Sequence, residues 1–241
     1  MNNERDAAPE SFDAQVRQVC ELYGQARVLH KQGVHVISTD EKTGIQALER
    51  AHPPRGMKPG LGEHQEFESL RQGTQTLIAN CEVATGQVVA PTVGPTRTEA
   101  DFVAHLARTL ELDPQGQWIF VLDHLNIHQS AALVRLVAPQ CDLPQELGEK
   151  GKRGILQSMA SRAAFLQDPQ HRIRFVYTPK HTSWLNQVEI WFSILVRRLL
   201  KRASFPSVEA LRHRLLEFSA YFNQTWAKPF KWTYAGRPLM A

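Results

Sequence analysis

The chain has 241 residues, 42% of them hydrophobic and 22% charged, a composition typical of a globular protein with a sizeable core. The formal net charge of +4 fits an anionic partner such as nucleic acid without requiring one. Three widely separated cysteines, a polar N-terminus and no apolar run of about 20 residues exclude a disulfide framework, a signal peptide and a membrane span, so we expect a cytoplasmic protein.

The N-terminal segment predicts a short helix ahead of the first strand. Residues 1–11 are polar and suggest a disordered lead-in. From Ser11 onward, apolar residues recur at helical spacing until about Gly24, where we expect the helix to end. We treat residues 1–33 as a lead-in with a docking helix.

The first strand is predicted over residues 34–44. Alternation places Val34, Val36, Ser38 and Asp40 on one face, with Asp40 at the carboxyl end of the strand. Residues 46–72 are rich in Pro, Gly, Arg and His and predict a long irregular excursion. Its basic residues are Arg50, Arg55, Lys58 and Arg71, which either meet phosphates or simply solvate a loop.

The middle of the chain predicts a hairpin, a helix and a central strand. Residues 74–94 form two β-rich runs joined at a Gly turn, and residues 97–111 form an amphipathic helix. Its inward residues are Phe102, Leu106 and Leu110. The continuous apolar run 118–122 indicates a strand covered on both faces, and Asp123 ends it.

The next part predicts a helix over residues 130–137 and a short strand over 171–179. Residues 139–170 lie between them, polar and rich in Gly and Lys, with one further helix in their second half. We interpret residues 139–170 as an insertion.

A helix over residues 182–202 is predicted from a stripe of apolar residues. Thr182 or Ser183 is a candidate N-cap, and Glu189 lies at the margin of the stripe. The stripe consists of Trp184, Val188, Trp191, Leu195 and Leu199. A last helix over residues 207–226 has Leu211, Leu215, Phe218 and Phe222 inward, and residues 227–241 form a basic, aromatic tail. Residues 34–226 thus predict one α/β domain with a mixed sheet and helices on its faces.

Three carboxylates form the candidate site. Asp40 and Asp123 end two apolar strands, and Glu189 lies on a later helix. If the two strands are parallel neighbours, these side chains converge at the carboxyl end of the sheet. An all-oxygen site of this kind suits Mg²⁺ or Mn²⁺ and two-metal phosphoryl transfer. The alternative for Glu189 is a solvated side chain or a pairing with Arg.

Three segments together resemble the bacterial insertion-sequence transposases of the mariner-like IS-six-thirty group. They are STDEKTGIQALER (38–50), VLDHLNIHQS (121–130) and YTPKHTSWLNQVEIWFSIL (177–195), and the SWLNQVE part is the most specific. The resemblance extends over most of residues 34–235. It implies a DDE endonuclease with a ribonuclease-H-like mixed five-stranded sheet and helices on both faces.

The resemblance also implies residue roles. Asp40, Asp123 and Glu189 correspond to the catalytic carboxylates that hold the metal. Asn126 and His128 follow the second aspartate and Asn186 precedes the glutamate by one turn, as candidate site support. Local capping or backbone bonding explains these three equally well.

The basic side chains that close this predicted helix suit either the helix dipole or a DNA backbone. They are Arg197, Arg198, Lys201 and Arg202. Lys180, ahead of the helix, is a further candidate for DNA contact. His124 and His128 are four residues apart, but no third soft ligand accompanies them, which disfavours a zinc pair.

The sequence therefore predicts a transposase catalytic domain that cleaves and transfers DNA strands at the ends of a mobile element. We expect two Mg²⁺ or Mn²⁺ ions, double-stranded DNA as the partner, a homodimer on DNA, no membrane contact and a nucleoid-associated location in a bacterium. The 33 residues before the first strand are too few for the helix-turn-helix pair that the group usually carries. The alternatives are an inactive, truncated DNA-binding remnant and a structure-specific nuclease.

Overall fold

The computed structural model describes residues 9–50, 69–141, 143, 146–201 and 203–234. The strands are β1 (Val34–Arg50), β2 (Ser69–Glu82), β3 (Val88–Gly94), β4 (Gln117–Leu122) and β5 (Ile173–Tyr177). The helices are α1 (Pro9–Lys31), α2 (Glu99–Leu110), α3 (Ala131–Gln140), α4 (Met159–Leu166), α5 (Val188–Leu195) and α6 (Val208–Thr225). Two 3₁₀ turns, Asn126–Gln129 and Ser183–Leu185, and a π-helical turn, Val196–Leu200, complete the described structure.

The five strands form one mixed sheet in the order β3-β2-β1-β4-β5. Strand β2 pairs antiparallel with both β1 and β3, whereas β4 pairs parallel with both β1 and β5. The predicted hairpin corresponds to β2 and β3, and the predicted central strand to β4. The α/β class and the mixed sheet are therefore confirmed.

The core lies on both faces of this sheet because side chains alternate along each strand. On β4, Trp118 and Phe120 pack in the cluster formed with α2, α3 and α4, whereas Ile119 and Val121 pack in the cluster formed with α1. Helices α5 and α6 cover the antiparallel half on the same face as α1. Each such buried side chain contributes about 1.5–3 kcal/mol, which accounts for the uninterrupted apolar run in β4.

Helix α1 is longer than the sequence predicted. It begins at Pro9 and continues through Gly24 to Lys31, so the expected end near Gly24 is wrong. A glycine inside a helix costs only about 1 kcal/mol. Burial of Tyr23 and Ala26 against β1 on either side of Gly24 offsets this cost. Residues 1–8 of the predicted lead-in lie outside the described residues.

Strand β1 also continues beyond its predicted end. Gly44 has φ 66° and lies in a bulge, where the pairing register with β2 shifts between Lys42 and Ile45. The glycine therefore bends the strand without ending it. The predicted excursion is wrong for residues 46–50 and 69–72, which are strand, and residues 51–68, with Arg55 and Lys58, lie outside the described part.

The segment predicted as an insertion packs against the rest of the domain where it is described. Leu156 and Leu166 are buried in the same cluster as Phe175 of β5. The Arg162 guanidinium donates to the carbonyl of Gln129 at 2.7 Å. Helix α4 is thereby joined to the 3₁₀ turn that follows Asp123.

The helix that carries Glu189 begins later than predicted. Helix α5 starts at Val188, and Thr182 donates its hydroxyl to the Pro179 carbonyl at 2.6 Å, so neither predicted N-cap is correct. Trp184 precedes the helix and is 52% exposed, which removes it from the apolar stripe. The remaining stripe residues, Val188, Trp191, Leu195 and Leu199, are buried as predicted.

Helices α2 and α6 agree with the sequence prediction. Phe102, Leu106 and Leu110 of α2 are buried. In α6, Leu211, Leu215 and Phe222 are buried and Phe218 is partly buried. None of the described helices combines the length and the apolar character that a membrane crossing requires.

Candidate active site

Asp40 and Asp123 lie just beyond the carboxyl end of the β1–β4 ladder. The last parallel pair joins Ser38 to Val121, and each aspartate follows two residues later on its strand. The predicted parallel neighbourhood of the two strands is confirmed. Asp40 lies within β1 and not at its end, because β1 continues in its pairing with β2.

Glu189 lies in the first turn of α5 and is half-buried. Strand β1 fixes this turn, because the Val188 backbone N–H donates to the Ser38 hydroxyl at 2.8 Å. The Glu189 N–H in turn donates to the Asn186 carbonyl at 3.1 Å. The helix start that presents Glu189 is thus tied to the strand that presents Asp40.

Asp40 is electrostatically coupled to the other two carboxylates. Burial, together with the charges of Asp123, Glu41 and Glu189, raises the pKa of Asp40 to about 7, against the lowering effect of the Glu41 N–H bond. Asp40 itself is buried. The structure therefore places Asp123 and Glu189 where their charges act on Asp40.

Asn186 holds the Asp40 side chain. Its buried amide nitrogen donates to the Thr39 carbonyl at 2.8 Å and to Asp40 Oδ2 at 3.3 Å. The Ser38 hydroxyl donates to the Asn186 amide oxygen. All polar atoms of this amide therefore act on β1, and the structure places Asn186 beside Asp40.

His128 lies fully buried between two carboxylates. Its Nδ1 is 2.8 Å from Asp123 Oδ1, and its Nε2 is 2.9 Å from Glu41 Oε1. Burial lowers the pKa of His128, but the hydrogen bonds and charges of Asp123 and Glu41 outweigh burial and raise it to about 9. His128 is thus an imidazolium at neutral pH and has no lone pair for zinc.

The contact between His128 and Asp123 also changes the pKa of Asp123. Burial raises the pKa of Asp123, but the hydrogen bond and charge of His128 and the Leu125 N–H bond together leave it below its usual value. Asp123 is therefore ionised at neutral pH. His128 both fixes the orientation of this carboxylate and keeps it charged.

Asn126 lies apart from this network. Its side chain is exposed and lines a separate cavity of about 270 Å³ together with Arg97 and His124. Among the candidate support residues, the structure brings His128 and Asn186 to the carboxylates and leaves Asn126 on the outer side of the 3₁₀ turn.

The described basic candidates lie in three places. Arg197 and Lys201 line a cavity of about 260 Å³ with Lys42 and Glu189. Arg198 lies 5.4 Å from the Trp226 ring and lines a larger groove of about 910 Å³. The charge of Lys180 acts on His124, next to Asp123, and Arg202 lies outside the described residues.

Sequence reasoning missed Ser38, Glu41 and Lys42 as site residues. Glu41 faces the opposite side of β1 from Asp40, and this alternation was visible in the sequence. Its pairing with His128, 87 positions away, is a long-range contact that no local pattern in a single sequence reveals.

The donor set fits a divalent cation. Three carboxylates supply hard oxygen ligands, and the charges of Asp123 and Glu189 add to the burial that raises the pKa of Asp40. In addition, Glu41 Oε2 is buried without a hydrogen-bond partner in the described structure. Mg²⁺ or Mn²⁺ at Asp40, Asp123 and Glu189 would offset this charge.

The family model described as DDE superfamily endonuclease matches residues 35–212, which include all three carboxylates. The chain belongs to this family. The predicted DDE endonuclease class is confirmed at this level, which is coarser than the insertion-sequence group that the sequence resembles. No significant match to a curated protein was found.

Solved structures of Mos1 mariner transposase share the fold of this chain. The paired end complex with Mn has a TM-score of 0.53 at 15% identity and covers 90% of this chain and 56% of that one. A pre-cleavage transpososome has a TM-score of 0.53 at 14% identity and covers 90% of this chain and 57% of that one. The catalytic domain alone has a TM-score of 0.50 at 13% identity and covers 90% of this chain and 84% of that one. The ribonuclease-H-like fold is thereby confirmed. This DDE endonuclease chain spans somewhat more than half the length of the Mos1 chains in the complexes.

Proposed function

We propose that this chain is the catalytic domain of a transposase that cleaves DNA at the ends of a mobile element and transfers the cut strands. The convergence of Asp40, Asp123 and Glu189 beyond the β1–β4 ladder carries the proposal. Membership of the DDE endonuclease family supports the reaction class. The Mos1 structures, described as paired end and strand transfer complexes, support transposition as the setting.

Asp40, Asp123 and Glu189 are the residues that would hold one or two Mg²⁺ or Mn²⁺ ions. Such ions, when bound, supply activation of the attacking hydroxyl and neutralisation of charge on the phosphate and the leaving oxygen. The DNA phosphate backbone carries negative charge of its own. The carboxylates alone would repel it, so cation binding and substrate binding are expected to support each other.

The surrounding residues of the chain orient and charge these ligands. Asn186 and Ser38 hold Asp40 and the start of α5, so that a ligand from a strand and one from a helix keep a fixed separation. His128 holds Asp123 in its ionised form. Preorganised ligands of this kind reduce the rearrangement that metal binding would otherwise require.

Double-stranded DNA is the proposed substrate and partner. Lys42, Arg197 and Lys201 lie beside Glu189, where positive charge would meet a phosphate backbone that enters the site. By analogy with the paired end complexes of Mos1, we propose a homodimer on DNA. The resemblance of the three sequence segments supports a bacterial insertion sequence as the proposed source, with a cytoplasmic, nucleoid-associated location.

The test is a nicking and strand-transfer assay on short duplexes with Mg²⁺ or Mn²⁺ and with EDTA. The wild type is compared with Asp123→Asn, and with Asp168→Asn in the connection between α4 and β5 as a matched control. Cleavage that needs metal, yields joined products and is lost only in Asp123→Asn supports the proposal. Nicking without joining indicates a structure-specific nuclease, and salt-sensitive DNA binding without any cleavage indicates an inactive remnant.

A further inference from the structure

A second cluster of ionisable side chains lies near the start of β1. It consists of His30 in the last turn of α1, His35 in β1 and Glu82 at the end of β2. Glu82 Oε1 is 2.9 Å from His30 Nδ1 and 2.8 Å from His35 Nδ1. One atom from each side chain lies within 4.8 Å of the other two. Three potential ligands from three elements therefore converge on one point.

This cluster is separate from the three carboxylates of the candidate active site. His35 pairs with Trp118 at the start of the β1–β4 ladder, whereas Asp40 and Asp123 lie beyond its other end. A strand rises about 3.3 Å per residue, which places the two clusters roughly 17 Å apart along β1. Phosphoryl-transfer chemistry at the carboxylates does not involve His30, His35 or Glu82.

The ring nitrogens indicate what the cluster binds. His35 Nε2 lies 3.2 Å from Asp113 Oδ2, a distance that suits the tautomer in which Nε2 carries the N–H. Its Nδ1 then presents a lone pair to Glu82 Oε1, which presents lone pairs of its own. Within the described structure, His30 Nδ1 is buried beside the same oxygen but forms no hydrogen bond. The lone pairs on these three atoms repel one another. A cation bound between the atoms would accept the lone pairs and remove this repulsion.

We propose that His30, His35 and Glu82 bind one transition-metal ion and that this ligand set suits Zn²⁺. The bound ion would join α1 to β1 and β2. Two imidazole nitrogens and one carboxylate oxygen are a zinc ligand set, with a further position open to water. Asp113 accepts the Nε2–H of His35, an arrangement that orients histidine ligands in metal sites.

Neighbouring groups hold the ligands in place. The Trp118 ring stacks on His35 with centroids 4.2 Å apart, and Thr85 donates its hydroxyl to Glu82 Oε2 at 3.3 Å. His30 lies at the carboxyl end of α1, where the helix dipole favours a cation. The side chains of His30, His35 and Glu82 are 37%, 20% and 8% exposed, so an ion can reach the site from solvent.

The test uses the full chain, stripped of metal with a chelator and titrated with Zn²⁺ and, for its visible spectrum, with Co²⁺. All measurements are made in an Asp123→Asn background, so that the candidate active site does not contribute. His30→Gln and His35→Gln remove one ligand each, and His213→Gln on the exposed face of α6 is the control. His30 is partly exposed at a helix end, so this variant retains the fold, which circular dichroism verifies.

We expect one equivalent of Zn²⁺ to bind, to raise the unfolding temperature and to give the intense tetrahedral Co²⁺ spectrum in the parent and in His213→Gln. Asp113→Asn should bind about 10–100-fold more weakly, and the two ligand variants more weakly still. Equal Zn²⁺ affinity in His30→Gln and His213→Gln would overturn the proposal. So would the absence of Zn²⁺ binding in the parent.

Discussion

The Ser38 hydroxyl accepts a 2.8 Å hydrogen bond from the Val188 backbone N–H. The strand that presents Asp40 therefore supplies the N-terminal cap of the helix that presents Glu189. The same hydroxyl donates to Asn186, which in turn contacts Asp40. One short polar side chain thus couples the positions of two carboxylates that are far apart in sequence.

Replacing Ser38 with alanine should destabilise the domain and misplace Glu189. Loss of a helix cap costs about 0.5–2 kcal/mol, and Asn186 additionally loses a buried donor. We expect the free energy of unfolding in urea to fall by about 1–3 kcal/mol and metal-dependent cleavage to fall with it. The control is Ser219→Ala, because this buried hydroxyl donates only to the Leu215 carbonyl of its own helix. Equal losses of activity in both variants would contradict the coupling.

His128→Leu should lower the free energy of unfolding more than Ser38→Ala does, because it leaves Glu41 as a fully buried charge without its His128 partner. Removing one member of a buried ion pair costs about 3–5 kcal/mol. Replacing both partners, in Glu41→Leu/His128→Leu, removes the unpaired charge and should recover part of this loss in urea unfolding. A double variant as unstable as the sum of its single variants would show that the contact is unimportant.

The same histidine predicts how stability depends on pH. The folded pKa of His128 is about 9, above the ordinary value of about 6.5 expected in the unfolded chain. Its contribution is therefore complete below about pH 6.5 and is lost as the pH rises through 9. In metal-free protein, the free energy of unfolding should fall over this pH interval. The free energy of unfolding of the His128→Leu variant should fall less. The exposed-histidine variant His213→Gln should follow the wild type, and parallel curves for all three would refute the assignment.

Local patterns predicted most of the elements but few of their ends. The continuous apolar run of β4 and the helical stripe of α6 depend on neighbours in sequence, and both predictions were correct. The end of α1 was wrong because packing against β1 offsets the cost of Gly24. The predicted start of α5 was wrong because the helix is capped by Ser38, 150 positions earlier in the chain.

Part of the candidate site could likewise be predicted from the sequence, and part could not. The ends of the apolar strands predicted Asp40 and Asp123, because parallel neighbours direct such residues to one edge of the sheet. Sequence alone did not reveal that Glu41 and His128 stabilise Asp123, since this contact joins two elements across the core. Nor did it reveal Lys42, because its position beside Glu189 depends on the packing of α5 and β1, which are far apart in sequence.

The cations around Glu189 give the last prediction. Arg197 lines the cavity beside Glu189 together with Lys42 and Lys201, and its side chain is exposed. If it contacts a DNA phosphate, Arg197→Gln should weaken binding to every duplex sequence alike and reduce the slope of log affinity against log salt by about 1. Fluorescence anisotropy over a series of salt concentrations measures both quantities.

The matched control for that measurement is Arg135→Gln. Arg135 is exposed on α3, which covers the opposite face of the sheet from α5, and its removal lowers the net charge by the same amount. A long-range effect of charge alone would shift both variants equally, because screening acts on the whole molecule. A direct phosphate contact changes only the Arg197 variant. Identical salt slopes for the two variants would place the DNA path away from the cavity beside Glu189.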